Sequence, residues 1–63
     1  MIAVKLEGSL SDIVLNEPFQ ATMNNMSAAI NNGVQFFISP DMNDRPVAIS
    51  VRKIISIVDL EDD

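Results

Sequence analysis

Residues 16–38 read NEPFQATMNNMSAAINNGVQFFI, and this stretch sets the class of the fold. Asn16, Glu17 and Pro18 have the chemistry of a helix start: an Asn caps, a Glu suits the positive end of the helix dipole, and Pro is tolerated in the first turn. Phe19, Met23, Met26 and Ile30 then recur at offsets of four, three and four, one stripe of an amphipathic helix. Gln20, Asn24, Asn25, Asn31 and Asn32 fall on the wet side, and Ala21, Ala28 and Ala29 are small enough to let the helix lie close to a sheet. Gly33 closes the helix, since glycine accepts the left-handed conformation found just past helix ends. Beyond it the period changes to two: Val34, Phe36 and Ile38 alternate with Gln35 and Phe37 in a strand that stops at Ser39-Pro40.

The same period of two recurs on either side of this segment. Ile2, Val4 and Leu6 alternate with Ala3, Lys5 and Glu7, and Gly8-Ser9 then signals a turn into a second apolar run, Leu10 to Leu15. Downstream, Pro40 to Pro46 is a loop rich in turn formers. Val47, Ile49 and Val51 alternate in a fourth strand, and after a break at Arg52-Lys53 the run Ile54-Ile55-Ser56-Ile57-Val58 is a fifth. The order β-β-α-β-β-β predicts a single α+β domain over residues 1–63, ending in a short acidic tail, 61–63. The architecture expected is a small antiparallel sheet, or a partly curled barrel, with one helix packed on one face. In that register the helix stripe meets Ile2, Val4, Leu6, Val34, Phe36, Ile38, Val47, Ile49 and Val51. The opposite face then carries Phe37 and Ala48, with either Ile54 and Val58 or Ile55 and Ile57. One helix covers one face only, so an apolar second face predicts an interaction surface and a homo-oligomer. Met42, in a loop bounded by prolines, is a further candidate contact.

Composition narrows the function classes. The chain has 63 residues, 48% of them hydrophobic, with no cysteine and no histidine. Disulfides and ordinary zinc sites are therefore excluded, and stability rests on apolar packing. Nine acids against four bases give a net charge of −5. That is the wrong sign for a duplex nucleic-acid binder, and suits solubility or a basic partner. The segment Met1–Gly8 carries Lys5 and Glu7 and lacks the long apolar run of a signal peptide. No stretch approaches the ~18 apolar residues of a membrane span. A cytoplasmic protein with no membrane partner is expected.

The residues offer little catalytic chemistry. Without Cys or His the common nucleophile–base pairs cannot form, and serines 9, 11, 27, 39, 50 and 56 are scattered over turns, helix and strands. Asp41 with Asp44, and Glu61 with Asp62 and Asp63, are carboxylates in a chain too short to desolvate them. The run Asp41-Met42-Asn43-Asp44 lacks the downstream glycine and the glutamate at the twelfth position of a calcium loop. With only Gly8 and Gly33, no glycine-rich phosphate loop exists. No enzyme, cofactor or metal is expected. Arg45, Arg52 and Lys53, three of the four bases, are candidates for a small anion site; the plainer reading is that they balance Asp41, Asp44 and the acidic tail.

The ending Pro46-Val47-Ala48-Ile49-Ser50-Val51-Arg52-Lys53-Ile54-Ile55-Ser56-Ile57 pairs a hydrophobic strand, a short polar break and an I-x-x-I segment. Together with the opening strand and glycine turn, it resembles the small β-rich accessory proteins encoded by bacteriophages and prophages. The resemblance implies a class of roles: binding a host protein, serving as a small structural part, or sequestering a nucleotide. The function expected is a non-enzymatic, self-associating protein-interaction module that binds a host protein; the alternative is an oligomeric binder of a nucleotide-like anion.

Overall fold

The computed structural model describes residues 1–60; the acidic tail, 61–63, lies outside the described residues. The chain runs β1 (Ile2–Leu6), β2 (Ile13–Leu15), α1 (Phe19–Asn31), β3 (Phe36–Pro40), β4 (Pro46–Ser50), a 3-10 turn (Val51–Lys53) and β5 (Ile54–Asp59). This is the α+β order β-β-α-β-β-β. The strands form two antiparallel sheets, one ordered β2-β1-β5 and the other a β3–β4 hairpin. The sheets meet where Leu15 bridges Asp41 and the Asn16 N–H donates to the Pro40 carbonyl at 2.9 Å. They curl toward each other there without closing into a barrel.

The first hairpin forms for the expected reason. The Ser9 N–H returns to the Leu6 carbonyl, with Gly8 at φ +81°, the positive φ that a type II turn requires at its third residue. The second apolar run yields only a three-residue strand; Leu10 stays fully exposed, and pairing begins at Ile13, opposite Val4.

Helix α1 ends as the glycine predicts. The Val34 N–H reaches the Ala29 carbonyl and the Gly33 N–H reaches Ile30, with Gly33 at φ +68°: a Schellman motif. Its start differs from expectation. Pro18 occupies the N-cap position with no side-chain cap, and Asn16, two residues earlier, joins β3 through its backbone N–H. The buried face also differs. Thr22 and Ala29 are buried, Phe19, Met23 and Met26 are half-buried, and Ile30 is exposed. Thr22 tolerates burial because its hydroxyl donates back to the Pro18 carbonyl at 3.1 Å.

The largest correction concerns β3. Phe37 is buried in the core and Ser39 with it, while Val34, Phe36 and Ile38 face solvent. Partners across an antiparallel ladder share a face. Phe37 pairs with Ile49 and Ser39 with Val47, and β4 turns Val47 and Ile49 inward as expected. The phase of β4 therefore carries Phe37 into the core. Ser39 is satisfied there by donating its hydroxyl to a Glu17 carboxylate oxygen. In β5, the register with β1 shifts between Lys5 and Leu6 and leaves Ile55 as the extra residue. Ile54 and Ile57 thus both pack against the core, and Ile55 and Val58 point out. The core is small: Ile2, Val4, Leu15, Ala29, Phe37 and Ile49.

Candidate interaction surface

The outward face of the β3–β4 hairpin is built by the phase just described. Phe36 lies opposite Ser50, Ile38 opposite Ala48 and Pro40 opposite Pro46. Phe36 is 52% exposed, Ile38 66% and, just before the strand, Val34 51%. No charged residue occupies this face. Together these side chains offer on the order of 300 Å² of apolar surface, the scale of the largest patches on soluble monomers.

Two anchors hold the hairpin. Near the tip end of β3, Glu17 accepts from Ser39 and, at 3.3 Å, from the Asn25 amide, tying the strand to the helix. At the hairpin tip, Asp41 accepts from the Asn43 N–H at 2.8 Å, the Arg45 N–H at 2.9 Å and the Arg45 guanidinium at 3.1 Å. The Arg45 N–H is the main cause, with the Asn43 N–H and the guanidinium charge, that holds the Asp41 carboxyl below the usual carboxylate range. Both Asp41 oxygens are thus turned onto their own loop. Asp44 adopts φ 63°, the left-handed conformation the tip needs. Met42 projects beside it, 51% exposed.

The other residues singled out from the sequence are dispersed. Phe37 lies in the core and Ile54 packs against it, so neither belongs to an exposed surface. Ala48 sits on the outer hairpin face beside Ile38. Val58 sits on the other sheet, in a row with Ala3 and Val14. Arg45, Arg52 and Lys53 are not brought together: β4 runs its full length between the first and the other two, roughly 20 Å at strand rise. Arg45 is committed to Asp41.

A cleft of about 340 Å³ opens at the end of α1, lined by Ile30, Gly33, Val34, Gln35, Val51 and Arg52. Ile30 and Val34 make it an apolar extension of the hairpin face, with Arg52 at its rim. Sequence reasoning missed Val34, Phe36 and Ile38 as surface residues. No local signal in the sequence reverses that phase, because the polar Gln35 and Ser39 alternate with Phe37 and only the pairing with β4 carries it inward.

Among the described residues, no helix is long and apolar enough to cross a membrane. No family model, curated protein or solved structure matches the chain.

Proposed function

We propose that this chain is a non-catalytic protein-interaction module that docks a partner protein on the outer face of the β3–β4 hairpin. The supporting observation is the uncharged apolar strip Val34, Phe36, Ile38 and Ala48 on a hairpin tied to the helix through Ser39 and Glu17. A solvated antiparallel face is ordinarily polar, and an apolar one marks a contact. The net charge of −5 favours a partner with a basic rim around its apolar contact. The phage-like cadence of the C-terminal half makes a cytoplasmic host protein the partner class in this reading. The anion-binding alternative finds no support within one chain, because Arg45 stands apart from Arg52 and Lys53.

Affinity capture with three baits tests the reading: the wild type, Phe36→Ser/Ile38→Lys, and a Lys5→Ala control on the other sheet. A stoichiometric partner held by the wild type and the control, and lost from the double variant, is expected. If all three baits retain the same proteins, or none retains any, the hairpin face is not a docking surface.

A further inference from the structure

Strand β5 is an edge of its sheet: β1 pairs on one side and, among the described residues, no strand pairs on the other. The Leu60 N–H donates to the Met1 carbonyl, which fixes the alternation of the ladder. Val58 and Ser56 then bond to β1, and the N–H and carbonyl of Ile57 face away from it. Edge strands are usually blunted by Pro, Lys or an inward charge, because open backbone groups template pairing with another chain. From Ile54 to Val58 this edge carries no Pro and no charge. The extra residue at Ile55 bends its first part, so the regular edge runs from Ser56 onward.

The charges around β5 select the occupant. Arg52 and Lys53 immediately precede the strand; Asp59 ends it, and the sequence continues Leu60-Glu61-Asp62-Asp63. Arg52 and Lys53 are exposed and form no ion pair among the described residues. Laid antiparallel against a second copy of itself, β5 sets the basic end of each copy against the acidic end of the other. A parallel arrangement sets like against like. Edges β2 and β3 meet each other at the Leu15–Asp41 bridge, and the remaining edge, β4, lacks this property. It begins at Pro46, which has no N–H to give, and has Arg45 before it and Arg52 after it, so antiparallel self-pairing there opposes cation to cation.

We infer that β5 pairs antiparallel with β5 of a second copy about a two-fold axis, giving a six-stranded sheet ordered β2-β1-β5-β5-β1-β2. The contact is isologous: each copy contributes the same edge. It is independent of the partner-docking face, so either can fail without the other. With both, the dimer presents two hairpin faces and binds a repeated or dimeric partner by avidity.

Two charge-reversed chains test this. Arg52→Glu/Lys53→Glu makes both ends of β5 acidic; Glu61→Lys/Asp62→Lys moves the acidic end toward basic. By sedimentation at low salt, the wild type is expected as a dimer. Each variant alone should dissociate at least tenfold more readily, and their equimolar mixture should regain the dimer mass, which also shows that both variants fold. The Ile57 amide should exchange at least tenfold more slowly in the wild-type dimer than in the dilute monomer. A monomeric wild type, a mixture that stays dissociated, or an Ile57 amide indifferent to concentration overturns the inference. Dimerisation lost in Phe36→Ser/Ile38→Lys but kept in both charge variants would overturn it too, by placing the dimer contact on the hairpin face.

Discussion

Phe36 and Phe37 are neighbours with opposite fates, and they separate packing from surface at single-residue resolution. Phe37 is 6% exposed and meets Ile49 across the hairpin. Phe37→Ala should cost about 3–5 kcal/mol, the range for emptying an aromatic site in a core. A small domain has a margin of that size, so the variant should be largely unfolded in water. Phe36→Ser should shift the urea midpoint by less than a fifth as much. Equal effects would mean the two rings share one environment. Ser39 makes a second test. Its buried hydroxyl donates to Glu17, so Ser39→Ala should lose about 1–2 kcal/mol, and Glu17→Gln should lose less once Ser39 is already Ala. Additive losses in that double-mutant cycle would show that the pair is not coupled.

At the scale of elements, the helix end and the hairpin tip carry the backbone's special conformations. Gly33 sits at φ +68° with nothing within 4 Å of where a Cβ would lie. Gly33→Ala therefore meets no clash, and its expected loss of about 1 kcal/mol is purely the left-handed backbone penalty. An unchanged thermal midpoint would show that the helix ends some other way. The hairpin tip is electrostatic in origin. Asp41 is held below its ordinary pKa by the Arg45 and Asn43 N–H groups and the Arg45 charge. A carboxyl depressed on folding stabilises the fold above its unfolded value, about 3.9, and the gain disappears as pH falls through the lower folded value. The wild type should therefore lose stability relative to Asp41→Asn as pH drops from 5 toward 2, in the range about 4 and below. Parallel stability curves over that range would remove the tip from the account of acid sensitivity.

For the whole molecule, the radius of gyration of 11.0 Å is close to the about 10.6 Å expected of a compact chain this long. Compactness does not hide its apolar residues. A 63-residue chain buries only about 60% of the surface it exposes when unfolded, and one helix cannot cover two sheets. Part of the surplus, Val34, Phe36 and Ile38, gathers on the hairpin face, and Ile55 and Val58 are exposed on β5. Ile38→Lys should therefore lower binding of a hydrophobic reporter dye to the native protein, with the unfolding free energy changing by no more than about 0.5 kcal/mol, as for an ordinary surface change. Dye binding unaffected by that substitution would show that the exposed surface lies elsewhere.

Element types and order were legible in the chain itself, because each rests on local chemistry. The alternation of Ile2, Val4 and Leu6, the helical spacing after Pro18, the left-handed glycine at position 33 and the proline-bounded loop act within a few residues of themselves. The face each element presents was decided only by tertiary structure. In β3 one phase, Val34, Phe36 and Ile38, is wholly apolar and the other, Gln35, Phe37 and Ser39, is mostly polar, so hydrophobicity alone turns the first phase inward. Pairing with β4 nevertheless turns Phe37 inward, since cross-strand partners must share a face. In α1 the buried line runs through Thr22 and Ala29, because a back-bonded hydroxyl and a small side chain fit against the sheet. The extra residue at Ile55 let Ile54 and Ile57 both face inward, which strict alternation forbids. Periodicity specifies a strand or a helix from neighbours in sequence; the choice of face is set by partners distant in sequence, and it decides which residues are left to meet another protein.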